Sequence, residues 1–221
     1  MTLASLCYDC YFIFQSHDRR NLKTAMTEKE PRIVLASASP RRADLLTAIG
    51  VGFELAPSNI LERPHPDEAP ADYIMRLARA KVIEVARKRE TGLVIGADTI
   101  VVLDGRLMGK PEDDSDAERM LKMLSGKWHA VMTGVSLYDA STKREVADYD
   151  KTLVKFAALT EKEIDWYVQT GEPMDKAGAY AIQGRGSMFI DEIAGNYHNV
   201  VGLPIPLVYR LAKRLGYHFI S

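Results

Sequence analysis

Cysteine is scarce: Cys7 and Cys10 are the only two in 221 residues. No disulfide framework can span the fold, and such usage points to a reducing, cytoplasmic setting. Their Cys-x-x-Cys spacing has no second pair, no metal-spaced histidine nearby and no strand-and-helix context, so it carries neither a zinc nor a redox reading. Net charge is also nearly absent, at −1 from 29 basic and 30 acidic side chains. That balance excludes the global field of a nucleic-acid or membrane-surface binder, so an anionic partner must be held by a local cluster. Long apolar runs are missing too. The stretch from Leu3 to Phe14 is interrupted by Asp9, lacks a basic leader and is too short for a bilayer, reading as neither signal peptide nor anchor. No repeat or low-complexity segment occurs.

What is present is a 47% apolar composition, enough for one substantial core. Residues 31–221 are expected to form one domain in two lobes. Residues 1–30 turn polar and end in Thr27-Glu-Lys-Glu30 before any regular pattern begins. They read as a non-catalytic extension, with Met26 an alternative start.

Arg32 to Ala36 reads as a short buried strand, followed by Ser39-Pro40, a cap and first-turn proline for a helix from Pro40 to Ile49 that Gly50 stops. A strand near Phe53 to Ala56 precedes a helix over Pro70 to Arg89, with Lys81 on its apolar face. Leu93 to Leu103 is too apolar for an exposed strand and reads as the central one, turning at Asp104-Gly105 into Arg106 to Met108. A helix over Asp113 to Leu124 and strands over Ala130 to Tyr138 and Val146 to Ala157 follow. Thr160 to Glu163 is a capping box for a helix through Gln169. A glycine-rich loop from Gly171 to Ala179, short strands around Ala181 and Phe189, and a helix from Pro204 to Leu215 complete the pattern. Strands alternating with helices, mixed with hairpins, define an α/β fold with a mixed, twisted sheet and flanking helices.

Several residues fit chemistry better than packing. Ser37, Ser39, Arg41 and Arg42 gather hydroxyls and guanidiniums at a helix N-terminus, where free amides and the dipole favour phosphate. The competing reading has Ser39 capping and the arginines facing water. Asp98 interrupts a core strand, which is costly without a cation or donors beside it; a purely structural alternative pairs it with an arginine. Thr99 points to the opposite face of a regular strand, so both contribute to one site only if the strand ends or bends there. Lys110, in Gly109-Lys-Pro111, can fold back beside Asp98 as a phosphate-binding cation. Lys81 is a second such cation unless it snorkels. Glu62 offers a second carboxylate for a divalent ion, and magnesium, with manganese the alternative, needs only one or two carboxylates plus substrate phosphates. Gln183 closes an apolar segment with an amide suited to a nucleobase or, alternatively, to neighbouring backbone.

Four blocks then resemble the Maf family of nucleoside triphosphate pyrophosphatases from about Arg32 onward. They are Leu35-Ala-Ser-Ala-Ser-Pro-Arg-Arg42; Ile95-Gly-Ala-Asp-Thr99 with Gly109-Lys-Pro111; Leu124-Ser-Gly126 with Thr133-Gly-Val135; and Gly171 through Gly184 with Asn199-Val-Val-Gly-Leu-Pro204. The resemblance implies a two-lobed fold related to the inosine triphosphate pyrophosphatases, homodimers, and hydrolysis of a nucleoside triphosphate to monophosphate and pyrophosphate. Thr99 and Gln183 match the subgroup acting on dTTP and UTP, where the 7-methylguanosine triphosphate subgroup has Ser-Asp-Gln and a glutamate. By the same resemblance Asp98 is the proton acceptor, Arg41, Thr99 and Gln183 tune base choice, and Lys81, Lys110 and Glu62 line the site. A second reading, a nucleotide-sensing regulator of septation with little turnover, needs binding without hydrolysis.

Overall fold

The computed structural model describes residues 33–219; the expected extension, with Cys7, Cys10 and Met26, lies outside them, as does Arg32. The elements are β1 (Ile33–Leu35), α1 (Pro40–Ala48), β2 (Glu54–Leu55), α2 (Pro70–Ala86), β3 (Leu93–Leu103), β4 (Arg106–Met108), α3 (Asp114–Leu124), β5 (Trp128–Asp139), β6 (Arg144–Phe156), α4 (Glu161–Gln169), β7 (Ile190–Ala194), α5 (Tyr197–Val201) and α6 (Ile205–Arg214). They build one mixed sheet in the order β2-β1-β3-β5-β6-β7, with β4 also on β3. The two contacts of β1 are parallel and the remaining pairings antiparallel.

β3 is the central strand, as its apolar run requires. One edge pairs with β5 from Leu93↔Asp139 to Val102↔Ala130. The opposite edge is shared: β1 covers Leu93 to Ile95, and β4 covers Val101 to Leu103. Ala36 N–H donates to Ile95 C=O across that edge at 2.8 Å. Because backbone groups alternate in direction along a strand, those of Ala97 and Thr99 also point that way, into a gap with no strand among the described residues.

The odd-numbered side chains of β3 divide between two cores. Leu93, Ile95 and Ala97 pack with Val135 and Leu137 beneath α1 and α6. Val101 and Leu103 pack with Val131 beneath α3 and α4. Thr99 and its register partner Thr133 stand between them, so the two expected lobes are two cores on a shared sheet, parted by a polar seam.

The opposite face carries α2, and two glycines set its distance. A Cβ on Gly96 would lie 2.6 Å from Val82 Cγ2, and one on Gly134 would lie 2.7 Å from the Ile74 carbonyl oxygen. Glycine is required where a helix backbone comes this close to a strand. The C-terminal third departs from expectation. Residues around Ala181 form no strand, because Ala181 N–H donates to the Tyr167 hydroxyl instead of a ladder and Gly184 turns the chain at φ +78°. The glycine-rich loop holds two short 3₁₀ turns, Glu172–Asp175 and Ala177–Ala179. α5 was not anticipated, although Asn196 caps it through His198 N–H and Gly202 ends it.

Candidate active site

The loop from β1 into α1 supplies the first groups. Ser39 occupies the N-cap position before Pro40, but its side chain makes no capping bond. Its N–H instead donates to Ser37 Oγ at 3.1 Å, leaving the first-turn amides of α1 without a side-chain acceptor. Ser37 is buried, and Arg42 reaches it with Nη1 at 3.2 Å. Arg42 also donates from Nε to Gly202 C=O at 2.7 Å and from Nη2 to Thr99 Oγ1 at 3.0 Å. Burial lowers the pKa of its guanidinium, with Asp98 and Glu62 opposing that shift. Arg42 thus braces the loop, the strand and the turn between the last two helices, while Arg41 lies half-buried beside it.

The seam continues inward. Thr99 Oγ1 lies 3.0 Å from Thr133 Oγ1, and Thr133 donates to the Asn199 carbonyl at 2.9 Å. Thr133 and Asn199 are fully buried, yet neither stood out as a site residue in the sequence. A polar residue in register with Thr99 was the signal available, but it appears only once the pairing of β3 and β5 is known.

On the other face, the close approach of α2 delivers Lys81 to Asp98. Lys81 Nζ lies 2.6 Å from Asp98 Oδ1 and 2.6 Å from Glu62 Oε1. Lys81 and Asp98 are 6% and 5% exposed, so Lys81 does not snorkel and the partner of Asp98 is a lysine, not an arginine. Glu62 comes from the loop before α2, with 44% of its side chain exposed. Burial raises its pKa, but the hydrogen bond and charge of Lys81, followed by Lys110 and Arg42, outweigh burial and hold the net shift downward. Burial, then the charges of Asp98 and Glu62, raise the pKa of Tyr73, another wall of the site.

A cavity of about 540 Å³ joins these groups, and every residue singled out from the sequence lines it. Asp98 and Thr99 do so from opposite faces of β3. The strand neither ends nor bends, contrary to what its alternation demanded; β1 ends instead, and the cavity reaches around the open edge. Lys110 and Gln183 are exposed on its rim, and Gln183 makes no side-chain hydrogen bond among the described residues. Tyr180 and Ile182 add apolar wall that the sequence did not mark. No three His, Cys, Asp or Glu side chains converge as a metal cage among the described residues. The acidic donors on the cavity are Glu62 and Asp98, each bonded to Lys81 through one oxygen and keeping a second, with Asp175 further along the wall.

Fold and cavity define an α/β protein with a polar pocket, cationic groups on several sides and a buried carboxylate lining it. The chain belongs to the Maf family: the model described as Maf-like protein matches residues 32–215. It is 51% identical over 185 residues to a Geobacter sulfurreducens protein named dTTP/UTP pyrophosphatase, covering 84% of this chain and 97% of the relative. A Geotalea uraniireducens protein of the same name is 48% identical over 191 residues, covering 86% and 98%. Among solved structures, the Ham1 protein of Staphylococcus aureus matches at a TM-score of 0.47 and 15% identity, over 84% of this chain and 98% of that one.

Proposed function

We propose that this chain is a nucleoside triphosphate pyrophosphatase that hydrolyses dTTP and UTP to the monophosphate and pyrophosphate. The observation that carries this reading is the buried Asp98 carboxylate, held 2.6 Å from Lys81 in the lining of a cavity that the anion-ready start of α1 also lines. Relatives named dTTP/UTP pyrophosphatase, about half identical across nearly their whole length, support the substrate pair.

In this reading Ser37, Arg41 and the free amides of α1 take the phosphate oxygens, with Lys110 closing from the rim. Arg42, already bound to Gly202, Ser37 and Thr99, keeps those donors aimed. Asp98 accepts a proton from the water that attacks the α-phosphorus. The new bond joins water oxygen to that phosphorus, the bond to the bridging oxygen breaks, and pyrophosphate leaves with the electron pair. Lys81 offsets charge beside both carboxylates. The spare oxygens of Glu62 and Asp98 are hard donors that suit magnesium or manganese, which when bound would neutralise triphosphate charge. Thr99 and Gln183 face the base, and the amide of Gln183 complements the adjacent N–H and C=O shared by uracil and thymine. The enzyme works in the cytoplasm, a placement resting on cysteine usage, and as a homodimer, which rests on the family resemblance. The septation-sensor reading has no support from the relatives, whose names describe catalysis.

Product analysis tests the reaction: UTP should yield UMP and pyrophosphate, and release of UDP with inorganic phosphate would overturn it. Asp98→Asn should lower kcat by about 10²- to 10⁴-fold, and a rate within about twofold of the parent would remove Asp98 as the base.

A further inference from the structure

Gln183 lies on a loop, not on a strand, so something other than a ladder must hold it. Two side chains do. Tyr167 of α4, fully buried, accepts a hydrogen bond from Ala181 N–H at 3.1 Å and donates its hydroxyl to Glu172 Oε1 at 2.9 Å. Glu172, just after Gly171, accepts Gly186 N–H on Oε1 at 3.0 Å and Arg185 N–H on Oε2 at 3.1 Å. The two residues therefore grip the chain on both sides of Gln183.

The loop is shaped to that grip. A Cβ on Gly184, at φ +78°, would lie 2.7 Å from Glu172 Oε2, and one on Gly186 would lie 2.5 Å from the Tyr167 hydroxyl. Burial raises the pKa of Glu172, but the amides of Gly186 and Arg185 and the Tyr167 hydroxyl outweigh it and leave the group lowered, as expected of an ionised acceptor. Neither side chain is among those lining the cavity. Charge-assisted bonds to backbone amides are shorter and roughly twice as strong as neutral ones, and accepting two neighbouring amides on one carboxylate adds geometric specificity.

We infer that Tyr167 and Glu172 are positioning residues for base recognition, acting on the nucleotide only through the placement of Gln183. The inference rests on the reading of Gln183 as the base-facing amide. Removing the clamp should therefore cost discrimination between bases and leave the phosphate and proton-transfer machinery in place.

The experiment measures kcat/KM for UTP and GTP in the full chain and in Glu172→Gln, Tyr167→Phe, Gln183→Ala and the double variant Glu172→Gln with Gln183→Ala. Glu172→Gln keeps size but places an NH₂ against a backbone donor; Tyr167→Phe keeps the ring and removes only the hydroxyl. Each should lower the UTP to GTP ratio by about tenfold, the loss expected from unmaking a hydrogen bond to a charged group. The fall should come mainly from KM for UTP, with melting showing both variants folded. In the Gln183→Ala background, Glu172→Gln should change the ratio less than about twofold, because two residues that act through one another are strongly non-additive. An unchanged ratio in folded Tyr167→Phe and Glu172→Gln, or a full further loss on top of Gln183→Ala, overturns the inference while leaving the pyrophosphatase reading intact. A parent chain that does not release pyrophosphate from UTP would instead defeat the functional reading.

Discussion

Lys81→Met tests whether the centre of the site is a desolvated ion pair. Methionine fills nearly the same volume and is flexible enough to repack, so the change isolates charge from packing. Lys81 bridges two carboxylates at 2.6 Å, but the two arms differ in surroundings. Asp98 is 5% exposed, and removing its partner strands a buried anion, which costs about 3–5 kcal/mol. Glu62, with 44% of its side chain exposed, can be solvated by water, and that arm contributes about 0–1 kcal/mol. Stability of small and medium domains is about 5–15 kcal/mol, so the first arm is a large share and the second a small one. Urea unfolding followed by circular dichroism at pH 7 should therefore give a loss of about 3–5 kcal/mol for Lys81→Met and under about 1 kcal/mol for Glu62→Gln. Adding Asp98→Asn to Lys81→Met should recover much of the deficit, because the stranded charge is gone. A loss below about 1 kcal/mol for Lys81→Met, or no recovery in the double variant, would refute the idea that Lys81 compensates the burial of the Asp98 side chain.

Gly134→Ala should destabilise by about 1–3 kcal/mol, because its methyl meets the Ile74 carbonyl at 2.7 Å and α2 must shift; a parallel fall in kcat would report Lys81 carried away from Asp98. His129 is buried, and burial lowers its pKa from 6.5 to about 4. The unfolded chain then binds more protons between those values, so this contribution is complete above pH 6.5 and is lost as pH falls towards 4. Stability should drop by about 2 kcal/mol from pH 7 to 5, and His129→Gln should flatten that slope in urea titrations. Gln183→Glu should reduce kcat/KM for UTP and dTTP more than for GTP; equal losses across the three would mean that Gln183 serves the loop or the phosphates.

The site was legible where a residue contradicted its surroundings. Asp98 in an apolar strand, Lys81 on an apolar helix face and two arginines at a helix entry each violate local economy, and the cavity gathers all of them. What stayed hidden depends on register and contact between distant segments. The pairing of Thr99 with Thr133 follows from the alignment of β3 with β5, and the need for glycine at 96 and 134 from where α2 lands. The strand expected at Ala181 failed because an apolar run of that length has no local signal separating ladder pairing from capture by a side chain, here the Tyr167 hydroxyl. Tyr167 and Glu172 were silent for the same reason: a buried tyrosine and a glutamate after a glycine are ordinary until the loop they hold is in view.

The gap along β3 is also short. Exposed strand edges invite other strands, and long ones lead to aggregation. Here the free stretch is bounded at one end by β1, which stops beside Ile95, and at the other by β4, which ends beside Val101. At roughly 3.3 Å per residue the opening is no longer than about 20 Å, with the walls of the cavity around it. A polypeptide would have to end inside the gap or bend sharply out of it, so sheet extension is blocked by the protein's own strands. A compact polar molecule meets no such obstacle. The backbone N–H and C=O of Thr99 belong to the main chain, and any residue but proline at that position would keep both, so this part of the cavity wall resists mutational drift in a way its side chains do not.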